Sequence, residues 1–314
     1  MSFVKLYYAF KPFMPRWLQI YIRRRRVEYL WEIHKERWPI DHSAGAVPAS
    51  WQPWPDGKLF TLVLTHDVEK EKGQDRCCRL SALEEKYGFR SSFNLVPERY
   101  TVSPALRGYL TKRGFEVGVH DLRHDGKLFS SRGNFQIGAV KINHYLREWN
   151  ALGFRAGAMH HNLEWIGELN VKYDLSTFDT DPFEPQSDGV RTIFPFWVNA
   201  GGDGGGYVEL PYTLVQDFTL FILMREQDTG IWKSKLDWIS KRGGMALLNV
   251  HPDYINFDGQ WKLEEYPVQL YTDFLKYVQS HYGGQFWNAL PCEVASFIKS
   301  GRSRQEESIE KQMR

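Results

Sequence analysis

Cysteine is scarce: the 314-residue chain has only Cys77, Cys78 and Cys292, two of them neighbours. Three such residues cannot build a disulfide framework and do not have zinc-site spacing. They suit a reducing, cytoplasmic compartment. Long apolar runs are also missing, and nothing approaches the about 18 consecutive apolar residues of a membrane-spanning helix. No secretory signal is expected, because Lys5, Lys11 and Arg16 interrupt any apolar leader and no small-residue cleavage site follows. What remains, 42% hydrophobic and 25% charged residues, is a globular composition.

The net charge of +2 is small, but its distribution is uneven: residues 1–40 hold nine Lys/Arg against three Glu, a net +6, and the remainder carries −4. The leader is also rich in aromatics. Between Arg16 and Arg37 it combines the run Arg23-Arg24-Arg25-Arg26 with Trp17, Leu18, Ile20, Tyr21, Ile22, Tyr29, Leu30 and Trp31. A helix starting after Pro15 would carry a broad apolar face with clustered cations. Such segments lie peripherally on an anionic membrane surface, or fold back as a helical hairpin whose arginines pair with the acidic body. A nucleic-acid groove is not expected, since the body is net acidic and holds no recognised module.

The sequence divides into a basic helical leader (1–40), a proline-rich linker (41–58), a body (59–298) and a polar tail (299–314) that reads as frayed. Within the body, short apolar runs at residues 59–64, 91–96, 115–119 and 245–250 read as buried strands. Helical spacing separates them at 136–152, where Ile137, Val140, Tyr145 and Trp149 share a face and Gly153 reads as the stop, and at 232–239 and 267–278. Strand–helix alternation predicts parallel strands with helices outside, as a barrel or an open sheet. The glycine run at 201–206 lacks the Gly-Lys-Ser/Thr ending of a phosphate loop and reads as a hairpin or lid between strands.

In parallel α/β barrels, chemistry gathers where strands exit into loops. The exits here carry Asp67 and Glu69, His120 and His124, Arg155, and His251. Two imidazoles four residues apart can meet one divalent ion, with a carboxylate from another strand exit as third ligand. Asp67 and Glu69 lie two residues apart and so face one side. Asp67 can then serve as base beside an ion held by Glu69, or simply cap the next helix. His160 and His161 are further candidate ligands, or satisfied loop residues.

The order of these segments resembles the polysaccharide deacetylase family, with NodB homology. Thr65-His66-Asp67-Val68 is similar to its Thr-Phe-Asp-Asp motif, and His120-Asp121-Leu122-Arg123-His124 to its His-Ser/Thr-x-x-His motif. Arg155 matches the start of the third motif, Asp179 or Asp181 the fourth, and Leu247-Leu248-Asn249-Val250-His251 the fifth. Val68 stands where the family has its metal-binding Asp, which moves the carboxylate ligand to Glu69, with Asp67 as the fallback. Ala156 and Gly157 replace the family's residues after the Arg.

The resemblance implies an α/β fold, an irregular seven-stranded (β/α) barrel, and a divalent metal, most readily zinc, on Glu69, His120 and His124. It further implies Asp67 as base, His251 as general acid, Arg155 orienting Asp67, and Asp179 holding Arg155 or tuning His251. The implied partner is an acetylated sugar of a glycan or lipid-linked precursor, from which an N- or O-acetyl group is hydrolysed. Two rivals stand beside it. One is an amidohydrolase of the same fold acting on a small cyclic amide or ureide, since some relatives carry Asp-Val-Glu in the first motif. The other is a glycan-binding barrel that lost its ion through Val68. Substrate size separates the two enzymes, because a polymer needs an open groove and a small amide a closed pocket.

Overall fold

The computed structural model describes residues 14–200, 205–260 and 262–313. Its organising element is strand β1 (Phe60–Val68), in which every residue is buried. A strand covered on both faces reads as a near-continuous apolar run, which is why this segment was legible. Its side chains alternate. Phe60, Leu62, Leu64 and Val68 join the core between sheet and helices, whereas Val63 joins the core inside the barrel. Thr61, Thr65 and Asp67 share the side of Val63, so the interior row ends on a carboxylate at the mouth.

Strand β1 is flanked in parallel by β2 (Ser91–Leu95) and β8 (Met245–Val250). The sheet continues through β3 (Glu116–His120), β4 (Gly153–Arg155), β5 (Tyr173–Asp174) and β7 (Gly206–Glu209), all parallel. Single parallel bridges, Phe178 to Tyr212 and Leu214 to Leu248, return the circuit to β8. The barrel is therefore closed by seven parallel segments, irregularly on the side of β4 to β7. Outside the circuit, β6 (Phe196–Asn199) pairs antiparallel with β7, and β9 (Phe286–Asn288) runs beside the start of β1. The pairing of β6 with β7 makes the hairpin read at the glycine run, whose residues 201–204 lie outside the described residues.

Helices α2 (Glu71–Lys86), α3 (Pro104–Lys112), α4 (Arg132–Trp149), α5 (Gly230–Arg242), α6 (Val268–Tyr282) and α7 (Pro291–Met313) follow the strands. Three sequence expectations are corrected here. Helix α4 buries Phe135, Gly138, Ala139, Ile142 and Leu146, and leaves Ile137 and Val140 exposed. Gly138 lets the Leu128 side chain approach closely on the buried face, and Ile137 and Val140 lie on the opposite, exposed side. The helix stops at Asn150, in the left-handed conformation at φ 52°, and Gly153 belongs to β4. The segment read as a frayed tail continues α7 to Met313, consistent with its Arg, Gln, Glu and Lys, which are good helix formers.

The leader forms helix α1 (Arg16–His34), which buries Ile20 and Val27 against the body. Its cations are largely spent there. Arg24 donates to Ile222 O at 2.9 Å, and Arg26 donates to Phe183 O at 2.6 Å and Glu184 O at 3.0 Å. Arg23 stacks over Phe218 with its guanidinium 4.4 Å from the ring centre. Only Arg25 of the run is exposed, beside Glu28. The described part of the leader thus folds back on the body, but the arginines of the run that reach the body meet backbone carbonyls and a ring and not acids. Residues 1–13 lie outside the described residues, and nothing among the described ones supports a lipid contact. No described helix is long and apolar enough to cross a membrane. The proline-rich linker carries two short 3₁₀ turns and docks through Trp54, whose indole N–H donates to Gly243 O at 2.8 Å.

Candidate active site

At the end of β1, Asp67 is held from three strands. Its Oδ1 accepts from Asn94 of β2 at 3.1 Å and from Arg155 Nη1 of β4 at 3.2 Å, and its Oδ2 accepts from Asn249 of β8 at 2.8 Å. Burial opposes ionisation of this carboxyl. The Arg155 guanidinium, His120, His251 and the Asn94 hydrogen bond together outweigh burial and hold it well below the usual carboxylate range. Arg155 is itself fully buried, fixed by donation to Leu175 O at 3.0 Å and Thr65 Oγ1 at 2.9 Å.

Glu69, His120 and His124 each present a ligand atom, and these atoms lie within 4.8 Å of one another. His120 Nδ1 faces Arg155 O at 3.1 Å, which makes Nδ1 a donor and leaves Nε2 as the ring atom that could meet an ion. That Nε2 is buried with no hydrogen-bond partner among the described residues. His124 Nε2 lies 3.2 Å from Glu69 Oε1, and Glu69 Oε2 accepts from Tyr254 at 3.1 Å. Burial pushes the His124 imidazole down to about 4, against the opposing pull of Glu69. For Glu69, burial acts to raise the pKa, but the charges of His251 and Arg99 oppose it and the carboxyl sits well below the ordinary range. Two imidazoles, one with a buried Nε2 that no described residue bonds, and a carboxylate form a donor set that fits a divalent ion. The carboxylate in this set is Glu69. Asp67 lies outside this set and accepts three protein hydrogen bonds, two on Oδ1 and one on Oδ2.

The backbone around the trio is strained. Asp121, His124, Ala158 and Met159 all take positive φ, between 53° and 55°, a conformation that costs non-glycine residues free energy and gathers at functional sites. Gly157 sits in close approach beneath them: a Cβ there would strike Asp121 Oδ2, which accepts from the Gly157 N–H at 3.1 Å, and would press on His124.

Opposite the trio, His251 closes β8. Its Nδ1–H donates to Asp217 Oδ1 at 2.6 Å, and its backbone N–H donates to Asp217 Oδ2 at 2.9 Å. Tyr266 supplies a further hydrogen bond to Asp217 at 2.9 Å. Burial lowers the basicity of His251, but the charge and hydrogen bond of Asp217 dominate, and the imidazole is pushed up to about 9. With Nδ1 committed, Nε2 is the atom left for the cavity.

The structure thus gathers Asp67, Glu69, His120, His124, Arg155 and His251. Asp179 is elsewhere, in a buried ion pair with Lys235 Nζ at 2.6 Å, and neither holds Arg155 nor tunes His251. Lys235 claims it, and Asp217 occupies the place expected for it beside His251. Asp181 hydrogen-bonds Tyr212 at 2.8 Å, away from the trio. His161 turns to Met159 O at 2.9 Å, and neither it nor His160 belongs to the ligand set. Sequence reading missed Asp217, Asn94, Asn249 and Tyr254. A signal existed for Asp217, which follows the apolar stretch Leu214-Val215 as another strand exit. None marked the two asparagines, which lie inside apolar strands. The site lines a cavity of about 100 Å³, and helix α1 contributes Arg16 and Arg23 to its wall.

The fold is that of a polysaccharide-deacetylase-type barrel. Comparison with solved structures agrees. A Mycobacterium smegmatis protein assigned as a polysaccharide deacetylase superposes with a TM-score of 0.63 at 17% identity, over 82% of this chain and 96% of that one. Puue allantoinase superposes at 0.61 with 14% identity, over 82% and 96%. A Pseudomonas aeruginosa PAO1 protein assigned as a polysaccharide deacetylase gives 0.60 at 14%, over 77% and 92%. No protein-family model and no curated protein sequence matches the chain. The likeness is one of fold, and the resemblance read from the ordered segments is carried by that fold.

Proposed function

We propose that the protein is a metal-dependent hydrolase that removes an acyl group, most simply acetyl, from an amine or hydroxyl of a sugar. The observation that carries this reading is the Glu69, His120 and His124 trio, with its orphaned imidazole nitrogen, set between a clamped carboxylate and a carboxylate-backed imidazole. A divalent ion in such a set, zinc being the best match to its N, N, O donors, supplies Lewis acidity toward a carbonyl oxygen and toward water. Asp67, ionised and held by Arg155, Asn94 and Asn249, accepts a proton from water through whichever oxygen it frees. Arg155 keeps that carboxylate oriented and charged. His251 Nε2–H delivers a proton to the departing amine or alkoxide, and Asp217 keeps the ring protonated for that task.

The test joins metal content to turnover. Purified protein is expected to carry about one divalent ion and to release acetate from N-acetylated sugars, and His120→Ala is expected to lose both. Stoichiometric metal in His120→Ala, or turnover that survives chelation, overturns the reading.

One observation favours a second reading, hydrolysis of a small amide or ureide. The cavity is small, and α1 forms part of its wall. A polymer in an open groove fits this poorly, whereas a small or terminal acyl group fits well. Comparing acetylated monosaccharides, chitin oligomers and cyclic ureides as substrates separates the two.

A further inference from the structure

Two arginines of the leader enter the cavity that holds the ligand trio, yet the two are not equivalent. Arg16 is paired with Glu264 and donates to Gln19 at 3.1 Å. Arg23 is half-buried on the ring of Phe218 and makes no ion pair with any described residue. Elsewhere in the cavity, His251 is answered locally by Asp217, and Arg155, buried behind the wall, by Asp67. Glu184, an acid of the same cavity, is engaged by Tyr212 at 2.7 Å and Gln216 at 2.5 Å. Burial raises its pKa, partly offset by these hydrogen bonds and by Arg23 and Arg26. Both guanidiniums lie close enough to the trio to bear on Tyr254, the residue that donates to Glu69.

A half-buried guanidinium with its fork uncommitted, stacked on an aromatic ring and facing a catalytic cavity, is a ready receptor for an oxyanion. Resting on the hydrolase reading above, we infer that Arg23, seconded by Arg16, recognises a carboxylate or phosphate on the substrate close to the scissile acyl group. The substrate class is then a small acylated sugar or amide that bears an acidic group, and helix α1 is the specificity element of the site. This assigns the basic leader a use inside the cavity.

The test uses full-length, zinc-loaded protein and three probes of like scaffold: N-acetylglucosamine, its 1-phosphate and its uronic acid. Kd is measured by calorimetry, and acetate release is measured in parallel. The expected result is that at least one acidic probe binds about ten-fold tighter than the neutral one. The two acidic arms distinguish phosphate from carboxylate. Arg23→Gln is expected to remove that preference, Arg23→Lys to retain part of it, and the outward-facing control Arg25→Gln to retain all of it, with thermal unfolding confirming that each variant folds. Equal binding of the three probes, failure of both acidic probes to bind at millimolar concentration, or a preference that survives both Arg23→Gln and Arg16→Gln overturns the inference. Acetate release without charge preference sinks only the anion site. Charge preference without metal or acetate release sinks only the hydrolase reading.

Discussion

The cavity prepares the same side chain in two opposite ways on its two sides. On the β3 side, burial pushes His124 down to about 4, and His120 keeps a buried Nε2 that no described residue bonds. On the β8 side, His251 is pushed up to about 9 by Asp217 and stays protonated. Burial acts in the same direction on both. What differs is the carboxylate: Asp217 hydrogen-bonds His251 directly at 2.6 Å, whereas Glu69 stands 3.2 Å from His124 and shares its charge with Tyr254 and the rest of the trio. A neutral imidazole is a ligand and a charged one is an acid, so the placement of two carboxylates divides the labour between His124 and His251.

The strongest way to break that division is to remove the group that stands between its halves. Asp67→Asn is expected to retain the metal and lose about 10²–10⁴-fold in turnover, since an amide cannot accept a proton from water. Elemental analysis beside a single-turnover assay checks it, and a metal-free Asp67→Asn would make Asp67 the ligand. His251→Ala is next, with a loss in the same range of about 10²–10⁴-fold and metal content unchanged. An unaltered rate on a good substrate would make His251 a mere strand cap.

A finer cut is Asp217→Asn, which leaves the imidazole in place and removes the charge that holds it protonated. Wild-type turnover is expected to fall as pH rises through about 9, where His251 deprotonates. In the variant this alkaline limb should move toward neutrality, and a pH–rate profile reads the shift. Stability follows the same sign. The folded pKa of His251 lies above its ordinary 6.5, so its contribution is complete below about 6.5 and is lost as pH climbs through about 9. Urea unfolding across that window should show wild-type stability declining and Asp217→Asn declining less.

These residues also show where sequence reading succeeds. β1 and β8 were legible because each is buried along its whole length and carries its chemistry at the exit. The spacing of His120 and His124 survived into geometry because one strand end and the turn after it hold both. The side from β4 to β7 was not legible as strands, since β4 and β5 have three and two residues and closure there rests on single bridges. Asp179 was read in the place that Asp217 holds for a related reason. Both are acids at the ends of short irregular segments, and only the packing of α5, which brings Lys235 to Asp179, tells them apart. The leader's arginines were legible as a charge cluster. Their destination was not, because the body's carbonyls and Phe218 that receive them lie more than 150 residues away in sequence.

That misplacement yields the prediction with the smallest effect on chemistry. Asp179 pairs with Lys235, both side chains 3% exposed, and Lys235 also donates to Pro39 O at 2.5 Å, tying α5 to the segment after α1. Asp179→Ala leaves a buried ammonium without its counter-charge, which in such sites costs about 3–5 kcal/mol. Denaturant unfolding should register that loss, while turnover per folded molecule and the alkaline limb set by His251 should stay where they are. A double change, Asp179→Ala with Lys235→Met, should recover much of the stability because no unpaired charge remains. If Asp179→Ala instead moved the alkaline limb as Asp217→Asn is expected to, the acid would answer to both carboxylates, and the contrast between the two sides of the cavity would rest on a wider network than the pair His251–Asp217.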